Sequence, residues 1–209
     1  MAEELGKIEK PPAADFQKGR RLYFIPLIYC GEDSPADYQE KFNRYWEQVA
    51  SQISELELKL GKIHKIYHEL ISSGGEDGLQ TIKTLNERSH QIVQSCLGKG
   101  ARLEVMEDED RLAQFMDWSR CLLFGLQSQK VMATVYEFYQ EAEKKRNEYV
   151  AGKIGQTLGP DEIGLLLIRE IKQLKLPADI QVFYVVPPAL DEINRWLREQ
   201  ETKTGETTS

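Results

Sequence analysis

Ile163-Gly164-Leu165-Leu166-Leu167-Ile168 is the stretch on which the fold turns. The preceding Gly159-Pro160-Asp161-Glu162 resembles a helix start, yet a short, wholly apolar run with an internal glycine has the length of a strand buried on both faces. The strand reading is favoured because Ala178-Asp-Ile-Gln-Val-Phe-Tyr-Val-Val186 is a better strand and needs a neighbour. A further partner stands near the other end of the chain. Arg21-Leu-Tyr-Phe-Ile-Pro-Leu-Ile-Tyr-Cys30 is β-branched, aromatic and apolar on both faces, as suits a strand covered by helices on either side. Pro26 removes a ladder donor there, which predicts an edge strand or a bulge at that residue.

Between these strands the sequence is helical. Phe42, Trp46, Val49, Ile53, Leu56, Leu60, Ile63, Tyr67 and Leu70 step alternately by four and three, a heptad pattern that predicts one helix of roughly 35 residues. Pro35 suits its first turn, and Ser72-Ser73-Gly74-Gly75 would end it. Leu79, Ile82, Leu85, Ile92, Val93, Cys96 and Leu97 continue a helical stripe, so an antiparallel helical hairpin is expected over residues 35–97. The second helix is too short to cover the first, and self-association through helix 35–70 follows as an expectation. Ala101–Met106 alternates as a short strand. Glu107-Asp108-Glu109-Asp110 places carboxylates where a helix would begin, and helical periodicity then runs past a break near Gly125 to Leu158. Pro187-Pro188 ends the last strand, and Leu190, Ile193, Trp196 and Leu197 mark the apolar face of a final helix. The fold class is α/β and helix-rich: a small central sheet flanked by helices, with a long inserted helical hairpin. Residues 1–19 and 202–209 read as disordered ends around a single domain over 20–201.

Composition narrows the function classes. Of 209 residues, 41% are hydrophobic and 29% charged, and 34 acids against 27 bases argue against nucleic-acid binding, which needs an excess of cations. No apolar run approaches the ~20 residues that span a bilayer, and residues 1–20 carry none of the pattern of a secretory leader. The three cysteines, Cys30, Cys96 and Cys121, are odd in number and lack a C-x-x-C pair, so no disulfide scaffold is expected. A cytoplasmic location without membrane contact follows.

Glu143-Lys-Lys-Arg146-Asn147-Glu-Tyr149-Val-Ala-Gly-Lys-Ile154, then Gly164–Ile168, then Leu176-Pro177-Ala-Asp179-Ile180-Gln-Val182 resemble the C-terminal motifs of a group of uncharacterised prokaryotic proteins. That group carries an E-R-N helix motif, a strand ending in G-x-x-H and an L-P-x-D-I-x-V strand, and is in turn distantly similar to the TraB and Tiki superfamily. The resemblance spans about forty residues. It implies an α/β fold and functional positions at Arg146 and Asn147. Where the group's histidine would stand, this chain has Arg169 and Lys172, whose protonated side chains have no lone pair for a metal. The resemblance therefore implies a degenerate scaffold, a pseudoenzyme, with no cofactor.

Candidate site residues follow from strand ends and charge. Arg146, Asn147 and Glu141 on one helix, with Arg169 and Glu170 leaving a strand, could line a cleft for a small molecule whose identity the sequence leaves open. Cys30, at the end of the first strand, lies where α/β sites occur. No metal site is favoured. An alternative joins His64 and His68, spaced for one helix face, with the Glu87 and His90 pair, and would serve a metal-assisted hydrolase. The main expectation is a non-catalytic interaction or binding protein.

Overall fold

The structure, a computed structural model, describes residues 18–206; the arm expected over 1–19 lies outside them apart from its last two residues. Eleven elements follow one another. They are β1 (Arg20–Pro26), α1 (Ala36–Leu60), β2 (Lys65–His68), α2 (Gly75–Leu85), α3 (Glu87–Gly98), β3 (Arg102–Glu104), α4 (Glu109–Leu123), α5 (Gln129–Thr157), β4 (Ile163–Ile168), β5 (Ile180–Tyr184) and α6 (Pro188–Glu206). The sheet is wholly parallel, in the order β3-β2-β4-β1-β5. The helix-rich α/β class is thus the observed one, and residues 163–168 are a strand with every side chain buried.

The pleat divides the core in two. Tyr23, Ile25, Leu165 and Leu167 face α1, α3 and α6, whereas Leu22, Phe24, Leu166 and Ile168 face α5 and the loop between β4 and β5. Both faces are covered, which is why these strands read as unbroken apolar runs instead of alternating ones. Connections that move along the sheet towards β3 cross the first face. Those that return towards β5 cross the second. A single crossover hand follows, as parallel sheets require.

Several expectations need correction. The heptad stripe does not mark one helix, because α1 stops at Leu60. Gly61 adopts φ 109°, a left-handed conformation open to glycine, and its N–H closes on the Glu57 carbonyl. Ile63 and Tyr67 belong to the following turn and to β2. The hairpin over 35–97 is therefore α1-β2-α2-α3, and α2 and α3 are separate helices that meet at Asn86. That side chain accepts the Ser89 N–H at 3.0 Å and donates to the Ile28 carbonyl at 2.7 Å. The stripe of α1 is already spent: Tyr38, Phe42, Tyr45, Trp46, Val49 and Ile53 are buried against the sheet and α6. Helix 35–70 consequently offers no free seam for a second copy. A heptad and an amphipathic helix lying on a sheet differ little over 25 residues.

β1 is not an edge strand, since it lies between β4 and β5. Pro26 is tolerated because it is the last residue. The Leu27 N–H reaches the Ile168 carbonyl, so the ring of Pro26 faces the β5 side, where pairing has ended at Phe24 and Tyr184. The expected disordered tail also shortens, because α6 continues to Glu206 and only residues 207–209 lie outside the described part.

Gly164 explains the glycine within β4. A Cβ there would stand 2.7 Å from Leu22 Cδ1 and 3.1 Å from Tyr67 Cε2. Gly164→Val is expected to destabilise the protein by about 1–3 kcal/mol through overpacking, read as a lower urea midpoint. An unchanged midpoint would mean that the two side chains move aside freely.

Candidate functional site

The parallel sheet sends β2 and its neighbour β4 to helices or loops on opposite faces, and β4 and β1 likewise. Such divergence opens a crevice beyond the carboxyl ends of the strands. A cleft of about 630 Å³ lies there. Phe24, Pro26, Ile28, Ile168 and Ile171 supply an apolar wall, and Phe115, Tyr139, Glu143, Arg146 and Asn147 come from α4 and α5. The segment after β4 contributes Arg169, Glu170, Lys172 and Gln173.

The floor of the cleft is a buried ion cluster. Arg146, only 4% exposed, lies between two carboxylates that follow strand ends, Glu69 after β2 and Glu107 after β3. Its Nε donates to Glu107 Oε2 at 2.9 Å, a second donor closes the fork on Oε1, and Nη2 reaches Glu69 Oε1 at 3.3 Å. The guanidinium also stacks over the Phe115 ring at 4.8 Å. Backbone donors complete the set: Leu70 N–H to Glu107 at 3.2 Å and Arg169 N–H to Glu69 at 3.0 Å. Burial alone would lower the Arg146 pKa, but hydrogen bonding and charge from Glu107, then from Glu69, outweigh it and leave it raised. The group stays cationic.

Arg169 is the part of the cluster that faces outward. Its side chain is 53% exposed, and Nε lies 3.4 Å from Glu69 Oε2. Tyr29 adds a buried hydroxyl with no hydrogen-bond partner among the described residues; burial pushes its pKa up, and the Glu69 carboxylate pushes it further. On the rim, Tyr139 donates to Glu143 at 3.0 Å and Asn147 Nδ2 to Gln173 at 3.2 Å.

Four of the expected site residues, Arg146, Asn147, Arg169 and Glu170, line this cleft. Two do not. Glu141 is exposed on α5 and pairs with Lys145 at 2.7 Å, one helix face away from the crevice. Cys30 lines a different, polar cavity with Asn86 and Arg88, because the chain leaves β1 on the α1 side of the sheet. Asp179, from the L-P-x-D motif, forks with Arg20 at 2.7 Å beside the amino ends of β1 and β5, remote from the cleft.

The alternative metal set is dispersed. His64 and His68 lie on an extended chain and flank or end β2, so they stand about 13 Å apart at ~3.3 Å per residue. His64 Nδ1 accepts the Ile163 N–H at 3.0 Å. His68 is fully buried; the Glu69 carbonyl at 2.8 Å fixes its proton on Nδ1, and Nε2 faces the Ser89 hydroxyl at 3.0 Å. Among the described residues no group of three or more His, Cys, Asp or Glu is placed to hold a metal ion.

Glu69 and Glu107 were not legible as site residues. Glu107 stands at the head of an acidic run whose other members act as expected: Asp108 caps α4 by accepting the Arg111 N–H at 3.1 Å, and Glu109 and Asp110 occupy its first turn. The one signal in the sequence was that Glu107 follows the short alternating run Ala101–Met106; Glu69 carried none, because β2 lies in register with the helical stripe. No helix of the described residues is long and apolar enough to cross a membrane. No protein-family model matches the chain, and neither a curated protein nor a solved structure is similar to it.

Proposed function

We propose that this chain is a non-catalytic binding protein whose strand-end cleft holds a small molecule with an apolar body and an anionic end. The observation that carries the reading is the half-exposed Arg169 guanidinium, tethered to buried Glu69 at the floor of a cleft walled by Phe24, Ile168, Phe115 and Tyr139. Lys172 stands in the same lining and adds a second cation. An arginine held on one side by a buried carboxylate presents its remaining donors with little entropy left to lose, the arrangement that favours carboxylate or phosphate recognition. Apolar walls with a few convergent polar groups are the usual make-up of a small-molecule pocket.

Support for binding over catalysis comes from the lining. It holds no histidine, cysteine or serine, and its one buried carboxylate, Glu69, is engaged by Arg146 and Arg169. A buried carboxylate neutralised by two guanidiniums is a poor general base. Arg146 and Asn147, the positions implied by the resemblance to the TraB and Tiki relatives, belong to this lining. That fits a scaffold retained for binding.

The test uses a panel of aromatic carboxylates and phosphate monoesters in thermal-shift and calorimetric titrations. A ligand at a hundred times its Kd should stabilise the protein by about 2.7 kcal/mol, or about 5–10 °C for a domain of this size. The shift should vanish in Arg169→Gln, whose exposed position spares the fold. A panel without binders, or binding unchanged in Arg169→Gln, would refute the reading.

A further inference from the structure

The helices α4 and α5 leave the body of the protein as a two-helix arm. No side chain from Met116 to Glu141 is buried, although the stretch carries Met116, Trp118, Leu122, Leu123, Phe124, Val131, Met132, Val135, Tyr136 and Phe138 among its apolar residues. Burial resumes only at Phe115 on one helix and Ala142 on the other. The arm is held by ring contacts, with Trp118 stacked on Phe138 at 4.9 Å and Phe115 against Tyr139 at 5.6 Å. Helices of this length are marginal in water without an apolar face to bury.

The apolar side chains exceed what the two helices can cover for each other. Leu123 is 85% and Phe124 80% exposed at the tip, and Val131, Met132, Tyr136 and Phe138 are about half exposed along α5. With aromatic side chains of roughly 200 Å² each, these six residues expose on the order of 700 Å². A standard interface takes about 800 Å² from each partner. Monomeric proteins seldom leave so large a patch bare without a use for it.

We infer that the arm is a self-association surface, on which two copies of the chain pair their α4–α5 hairpins into a four-helix bundle. Charge favours a second copy as the occupant. The chain carries a net −7, which would oppose dimerisation through most of its surface. From Met116 to Glu141 the charged residues are Asp117, Arg120, Lys130, Glu137 and Glu141, a near-neutral set in which Asp117 pairs with Arg120 at 3.0 Å and Glu141 with Lys145 at 2.7 Å. The arm can thus meet its own copy with little like-charge repulsion. A two-fold contact is also isologous, so one apolar patch suffices for both partners. The surface differs from α1, whose apolar stripe lies inside the domain.

Sedimentation velocity of the full chain at low and high micromolar concentration tests the inference. The expected result is a species of twice the chain mass that dissociates on dilution. Leu123→Glu combined with Met132→Glu, neither of which takes part in the ring contacts that hold the arm, should weaken it by on the order of 100-fold, because each dimer would bury unpaired carboxylates. Both positions are exposed, so the circular dichroism of the variant should match the parent. A monomer at every concentration overturns the inference, as does a dimer indifferent to the double substitution. Monomers that instead sediment with phosphatidylcholine–phosphatidylglycerol vesicles also overturn it, and would make the arm a lipid contact.

Discussion

Arg146→Ala should lower stability by about 3–5 kcal/mol, the loss typical when one member of a buried ion cluster is removed. The variant leaves Glu107 without a cation and Glu69 with only the half-exposed Arg169, the two carboxylates being almost fully buried. Two carboxylates cannot both remain ionised in that setting without a large desolvation cost, and neither can find water readily. A fall in Tm of about 6–20 °C is expected for a domain of this size. The surrounding chemistry provides the control. Replacing all three together, Arg146→Met with Glu69→Gln and Glu107→Gln, removes the charges along with the partner and should recover much of the loss. If Arg146→Ala changes stability by less than about 1 kcal/mol, the cluster behaves as a solvated surface network, and the cleft loses its rigid floor.

The second large effect concerns pH. Burial holds the His68 pKa down to about 4 from an ordinary 6.5, although the Glu69 carbonyl and carboxylate both act to raise it. The unfolded chain therefore binds a proton at a pH where the folded chain does not. Above about pH 6.5 both states are neutral at this residue and its contribution is constant. As the pH falls from about 6.5 towards 4, unfolding becomes progressively favoured, and below 4 no further loss accrues. The full effect is on the order of 3 kcal/mol. Urea unfolding of the parent and of His68→Gln at pH 7.5, 5.5 and 4.5 isolates it, since other acidic groups titrate in both proteins. The gap between the two should change by about 2.5 kcal/mol in favour of the variant between pH 7.5 and 4.5. A gap independent of pH would mean that His68 is charged or solvated in the native state.

How much of the site was legible depends on where its charges lie along the chain. Arg146, Asn147, Arg169 and Glu170 could be picked out because each stands beside a strong local pattern, a long helical stripe or an apolar strand. Glu69 and Glu107 could not, since in sequence they look like surface acids beside other surface groups. Their burial is a consequence of the strand order. β2 and β3 lie at one side of the sheet, so the residues after them come together with a helix that begins more than twenty residues beyond Glu107. Glu141 was misjudged for the converse reason. It is only five residues from Arg146, but at ~100° per residue those five positions turn it about 140° around the helix, well away from the cleft.

β2 shows the same limit within the fold. Lys65-Ile-Tyr-His68 falls in register with the heptad stripe of α1, and nothing local separates a continued helix from a four-residue strand. Only the pairing with β3 and β4 decides it, together with the left-handed turn at Gly61.

By itself the sequence determined the α/β class, the three long apolar strands with a largely helical chain between the first and second, and the capping of α4 by its acidic run. Those features depend on period, composition and end chemistry, which act over a few residues. The tertiary structure alone decided the order β3-β2-β4-β1-β5, the central place of β1, the convergence of Arg146, Glu69 and Glu107, and which amphipathic helices find cover. A stripe of apolar side chains has the same spacing whether it is spent on a sheet, as in α1, or left in water, as in the arm. What distinguishes the two is how much surface the rest of the chain has left to offer, a property of the whole packing and of no single segment.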